Sequence, residues 1–245
     1  MHSWNAIRTF CAALLFLPLI HLAYLVSQET LASLDASPEI WAGEVEAYSR
    51  VDQATELPID PVVVVGGRAV KLWTGLEDAL APRPVLMRGV GDATVDDVTH
   101  FYTKLVGFYR PETVVFLPGN SEFHVRDNKS AQELVESIAR LAELNLSYGV
   151  TRRFIVLAPV KNPANPGDYN KIDEVALLLA RWAAGLDEVT VIDPNRLLAD
   201  REGRPNPDYF RLDGINLNDQ GYLRLTLLVS DRLAAPGSDP SAGAD

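Results

Sequence analysis

The chain has almost nothing from which to build a disulfide or a thiolate metal site. Its 245 residues include one cysteine, Cys11. No intramolecular disulfide can form, and a Cys-based metal site is excluded. Histidine is also scarce. The four are His2, His21, His100 and His124, and no pair has the spacing of a helical zinc motif. Neither a metal nor a cofactor is expected. Basic residues are few, 22 Lys plus Arg against 33 Asp plus Glu, for a net charge of −11. A nucleic-acid partner, which requires a basic face, is not expected. Internal repeats are lacking too. What the chain does have is apolar content, 47% of its residues, enough for the core of one sizeable domain.

One long run carries no formal charge: "TFCAALLFLPLIHLAYLVS", Thr9 to Ser27. A membrane-spanning helix needs roughly 17–25 such residues. Arg8 precedes the run, and Glu29, Asp35, Glu39, Glu44 and Glu46 follow it. The positive-inside bias keeps residues 1–8 in the cytoplasm, makes residues 9–27 a signal anchor, and places the rest on the periplasmic or extracellular side. A cleaved signal peptide is the competing reading. However, "YLVSQET" offers no small-residue cleavage site, and Cys11 is on the wrong side of the run for a lipoprotein cysteine. Pro18 and His21 weaken the span.

Residues 28–60 read as a helical stalk, with Ser37 as its cap, Pro38 in the first turn, and Ile40, Val45 and Tyr48 as an apolar docking face. Strand and helix signals then alternate. The strands are "PVVVVGG", "PVLMRGV", "ETVVFLPGN", "RRFIVLAPV" and "VTVIDPN". Between them run the helical patterns "AVKLWTGLEDALA", "TVDDVTHFYTKLVGFY", "SAQELVESIARLAELNLSYG" and "YNKIDEVALLLARWAAGL", with "NDQGYLRLTLLVSDRLA" last. Alternation of this kind implies βαβ units and a mostly parallel five-stranded sheet covered by helices on both faces. Residues 235–245, rich in Pro, Gly, Ser and Asp, read as a disordered tail. In such sheets the sites form at the carboxyl ends of the strands.

The segments that follow those strands resemble the SGNH/GDSL hydrolase superfamily. "VVVVGGRAVKLW" is similar to its first block, "GSSSIRLW". "VLMRGVGDATVDDVTHF" is similar to the second, "NRGFGGST", and "RPETVVFLPGNSEF" to the third, "PKTVVFYAGDNDL". "DYFRLDGINLNDQGY" is similar to the fifth, "FRWDGLHLNAAGY". The four blocks occur in the family's order across residues 61–234. The resemblance implies a flavodoxin-like three-layer α/β sandwich and ester or acyl hydrolysis. In that chemistry a Ser attacks, a His takes its proton and an Asp orients the His. The Ser N–H, a block-two Gly and a block-three Asn form the oxyanion hole.

Carried over residue by residue, the resemblance implies a degenerate site. The nucleophile position is Arg68, the block-two Gly is Gly91, the block-three Asn is Ser121 with Glu122 after it, the block-five Asp is Asp213, and the His is Asn216. A guanidinium cannot attack or release its proton at neutral pH, and an amide is no general base. The expected product of this sequence is therefore a pseudoenzyme. Arg68, Gly91, Ser121, Glu122 and Asp213 are its candidate ligand-binding residues, and the ligand suggested by family analogy is an anionic or acylated carbohydrate. The alternatives are an active hydrolase using other groups, such as Ser121 with His124, and a scaffold for a protein partner in a membrane complex.

Bland readings compete at most of these positions. Arg68 pairs with Asp213 or Glu122 unless it holds an external anion at a helix start. Asp96 and Asp97 favour a helix N-terminus capped by Thr94, and Asp97 can pair with His100 one turn on. Trp73 and Trp182 read as core. "KNPANPGDY" reads as a rigid loop on the cleft side of the sheet.

Overall fold

The computed structural model describes residues 16–24, 37–124 and 127–234. The residues 1–15, most of the expected stalk entry at 25–36, and the tail at 235–245 lie outside the described residues. Residues 16–24 form a helical stretch with exposed side chains. Among the described residues no helix is long and apolar enough to cross a membrane.

The five strands form as the apolar runs indicate. They are β1 (Val62–Gly66), β2 (Val85–Gly89), β3 (Thr113–Leu117), β4 (Arg153–Leu157) and β5 (Val189–Ile192). They pair in the order β2-β1-β3-β4-β5, and every pairing is parallel. Side chains alternate between two cores. Val63 and Val65 face one side, packed with Val45, Val98, Tyr102, Leu134, Ile138 and Val175. Val62 and Val64 face the other, with Trp73, Leu76, Tyr222 and Leu225. The sheet is thus a middle layer, with the helices Ala42–Ala54, Ala131–Ser147 and Tyr169–Ala183 on one face and Asp219–Ala234 on the other.

Two helical runs are broken where a single helix is expected. The first gives Arg68–Lys71 and Leu76–Leu80, separated at Gly75, whose φ of 81° interrupts the helix. The second gives Val95–His100 and Tyr102–Leu105, then a 3-10 turn at Gly107–Tyr109. Caps form as expected. Ser130 and Thr94 each make a capping box, with Glu133 and Asp97 respectively. The i, i+3 pair of Asp97 with His100 is not made. Asp97 accepts from Thr94 N–H and from Trp41 Nε1, and His100 meets Glu39 at 3.0 Å. Trp73 is core, donating to Thr226 Oγ1 at 3.0 Å, and Trp182 packs at the edge of the core.

The helix Ala42–Ala54 is fastened to the domain along its length. Tyr48 donates to the carbonyl of Gly89 at 2.7 Å. Further on, Asp52 accepts from Arg88 at 2.8 Å and from the Tyr109 hydroxyl. Arg88 lies between the Tyr48 and Tyr109 rings, at 4.9 and 4.5 Å from their centroids. The Arg88 and Asp52 side chains are only 7% and 8% exposed. Removing one partner of such a pair strands the other charge in the interior. Asp52→Ala is expected to destabilise the protein by about 3–5 kcal/mol, read by urea unfolding. Asp52→Leu combined with Arg88→Met is expected to recover much of that loss.

Candidate functional site

A cleft of about 540 Å³ opens at the carboxyl ends of β1, β3 and β4. Between β1 and β3 the strand order changes direction across the sheet, and such a switch point is the usual ligand crevice of doubly wound folds. Its walls come from the turns after those strands, from the late loop at Ile215–Leu217, and from Ile40 and Trp41 of the N-terminal segment. Tyr222 lines it as well, its hydroxyl tied to the carbonyl of Ala69 at 2.8 Å.

Arg68 is in the cleft and is neutralised there, but its partner is neither Asp213 nor Glu122. Asp92 holds it in a two-pronged pair, with Nε and Nη2 each 2.6 Å from a carboxylate oxygen. That bond is the main reason the guanidinium is held even more firmly protonated, and the nearby Glu44 and Asp213 charges add to it. Both side chains are about half exposed, so the pair contributes on the order of 0–1 kcal/mol to stability. Its larger effect is to fix the guanidinium plane across the turn. The helix at Arg68–Lys71 is a single turn, too short for the helix-start anion site considered from the sequence.

Asp213 and Asn216 keep the geometry of an acid and its oriented partner. Asp213 Oδ1 accepts from the backbone N–H of Ile215 and Asn216, and Asn216 Nδ2 donates to Asp213 Oδ2 at 2.7 Å. Partial burial raises the Asp213 carboxyl, but these bonds outweigh it and hold the group below its usual range. The Asn amide thus makes the hydrogen bond that an imidazole N–H would make, without supplying a base.

Gly91 is the most constrained of the candidate positions. Its φ is 25°, and a Cβ placed there would fall 2.0 Å from the Trp41 ring, so no other residue fits without displacing the tryptophan. Its N–H donates to Glu44 Oε2 at 3.0 Å, and the same oxygen accepts from Lys71 Nζ at 2.9 Å. A carboxylate from the N-terminal helix therefore occupies the donor that the resemblance assigns to an oxyanion.

Ser121 and Glu122, adjacent in sequence, separate in space. Ser121 lines the cleft. His124 lines it too, but its Nε2 shares a 2.6 Å hydrogen bond with Asp168. Among the described residues no hydrogen bond joins Ser121 to His124. Glu122 does not border the cleft as expected, because it is fully buried. It accepts from Val95 N–H at 2.7 Å and from Lys129 Nζ at 2.9 Å. Lys129 also meets Asp96 at 3.0 Å and Asp127. Burial pushes the Glu122 carboxyl up to about 7, with Lys129 opposing.

Several cleft residues carry no motif signal. Trp41 and Glu44 reach the site across long sequence separations, which no local pattern reveals. Asn120 is cross-linked to Asn162 at 3.2 Å, so the "KNPANPGDY" loop does form a wall. Asp92 had a readable signal: an acid stands where the family block has a small residue, opposite an equally unusual Arg68.

The structure is similar to several solved structures. One is a GDSL-like lipase from Bacteroides thetaiotaomicron, at 18% identity and a TM-score of 0.66, covering 77% of this chain and 96% of that one. The fold is that of the GDSL-like lipases and acylhydrolases. A lipase/acylhydrolase from Enterococcus faecalis gives 18% identity and 0.59, covering 71% and 95%. A catalytic mutant of an acetylxylan esterase from Geobacillus stearothermophilus gives 12% and 0.58, covering 76% and 100%. No family model and no curated protein matches the sequence. The SGNH/GDSL-type fold thus accounts for the α/β sandwich, its parallel sheet and the position of the cleft.

Glu122 generates a pH prediction. Its folded value of about 7 exceeds the ordinary 4.5, so the folded state holds the extra proton between those values. The stabilisation is complete below about 4.5 and is lost as pH rises through about 7. In Glu122→Gln, unfolding free energy measured in urea is expected to fall less steeply with pH across that window than in the wild type, whatever the variant's absolute stability.

Proposed function

We propose that this is a membrane-anchored protein of the SGNH/GDSL fold that binds a ligand in its cleft without hydrolysing it. The observation that carries the reading is the Arg68–Asp92 pair across the turn where the fold's nucleophile belongs. A side chain with no lone pair, pinned by a carboxylate, offers no route to an acyl intermediate. Asn216 on Asp213 removes the base from the same reading. Without nucleophile and base together the triad mechanism has no first step.

The anchor rests on the uncharged run at residues 9–27, and the periplasmic or extracellular placement on the charges flanking it. For the ligand, the neighbours suggest an acylated carbohydrate by analogy of fold alone. The internal neutralisation of Arg68 favours a neutral acylated sugar over an anionic one. A second reading, hydrolysis through unfamiliar groups, has one observation in its favour: Ser121 and the His124–Asp168 pair share the cleft. A scaffold role in a membrane complex is the third.

Purified full-length protein in detergent is expected to leave nitrophenyl acetate and butyrate unhydrolysed above the buffer rate. Turnover that disappears in Ser121→Ala would overturn the proposal in favour of the second reading. In thermal shift, acetylated xylo-oligosaccharides are expected to raise Tm; an occupant at 100 times its Kd adds about 2.7 kcal/mol. A flat response to every acylated sugar favours the scaffold.

A further inference from the structure

We infer that the mouth of the cleft docks on the lipid bilayer, so that the cleft opens toward the membrane surface. This rests on the anchor proposed above and concerns how the domain is oriented once anchored.

The first observation is where the tether enters. The helix Ala42–Ala54 runs from the cleft end of the sheet to the opposite end. Near its start, Glu39 meets His100, Trp41 lines the cleft, and Glu44 bonds Gly91, beyond the carboxyl end of β2. Near its finish, Asp52 bonds Tyr109, in the turn that precedes β3, and the long Arg88 side chain of β2 reaches down to the same carboxylate. The folded unit therefore receives its tether at the rim of the cleft. The ten residues from 28 to 37 span at most about 35 Å even when fully extended. The helix itself adds about 20 Å of separation between the two ends. A tether fixed at the cleft end favours that end facing the bilayer, because the opposite end reaches the surface only when the tether is stretched by more than the length of the helix.

The second observation is the chemistry of that end. Leu212 stands fully exposed at the tip of the late loop, which is closed by Arg211 N–H on the carbonyl of Asn216 at 2.8 Å. Ile215, in the same loop, lines the cleft and remains partly exposed. Ile40 and Trp41 stand on the facing rim. Arg68 is paired with Asp92 at the mouth, while Arg211 and Asp213, which flank Leu212, are exposed. Those two charges stay at the level of the headgroups while the leucine between them enters the interface. An acidic chain with net charge −11 gains nothing from a lipid headgroup through bulk charge, so the contact is apolar, made by a few side chains at the interface.

A second apolar surface competes. Phe108 is exposed at the opposite end of the strands, in the turn before β3. The two ends therefore give opposite expectations, which makes the orientation measurable.

The test uses the full chain with Cys11→Ser, reconstituted into phosphatidylethanolamine/phosphatidylglycerol vesicles. A single environment-sensitive fluorophore is attached at Leu212→Cys or, in a separate protein, at Phe108→Cys. Flotation of the vesicles reports anchoring. Quenching by phosphatidylcholine carrying a nitroxide near its headgroup reports proximity to the bilayer. The expected result is co-flotation, with quenching at position 212 severalfold greater than at position 108. Co-flotation with equal quenching, or with more at 108, overturns the docking and leaves the anchor standing. Failure to float overturns the anchor, and this inference with it. Matching circular dichroism spectra and Tm values for both labelled proteins establish that the comparison is between folded molecules.

Discussion

The Arg88–Asp52 pair is the interaction on which the rest of the arrangement depends. It buries two charges at the edge of the sheet, where neither is tolerable alone, and so commits the N-terminal helix to one position. Everything that helix brings to the cleft follows from that commitment. Trp41 can press on Gly91 only because the helix is held along its length, and Glu44 can reach the Gly91 N–H for the same reason. A segment that reads in the sequence as a stalk thus becomes a wall of the cleft.

Much of the fold was legible because its signals are local. Five short apolar runs, each closed by Gly, Pro or Asp, define five buried strands, and the alternation of Val62 to Val65 between two cores follows from the pleat. Caps at Thr94 and Ser130 were legible for the same reason. What escaped was non-local or energetic. Gly75 interrupts a run whose apolar spacing looks continuous. Glu122 turns inward because Lys129 and the Val95 N–H can satisfy it there, a balance that no motif encodes. Arg68 pairs with Asp92, while Asp213 is engaged by Asn216 and two backbone N–H groups, a division of partners that no local pattern encodes.

The candidate site is occupied from within. Arg68 has its carboxylate, Asp213 has its amide, and His124 has Asp168. Arg68, Asp213 and His124 are each engaged by a neighbour, which leaves the cleft open in shape while its guanidinium is neutralised from within. Recognition in such a cleft would depend on contour, on the asparagine amides at its walls and on the aromatic face of Trp41, more than on long-range attraction.

The Glu44 carboxylate on the Gly91 N–H has an evolutionary consequence. On the pseudoenzyme reading, regaining hydrolysis would require a nucleophile at 68, a base at 216 and a vacant donor at 91. The last of these means altering a helix that comes before the first strand and helps to hold the domain together. Two of the three steps break a bond that now exists, Arg68 with Asp92 and Glu44 with Gly91, and none of them alone restores the triad. On that reading the three segments are coupled, and a working site needs all of them changed together.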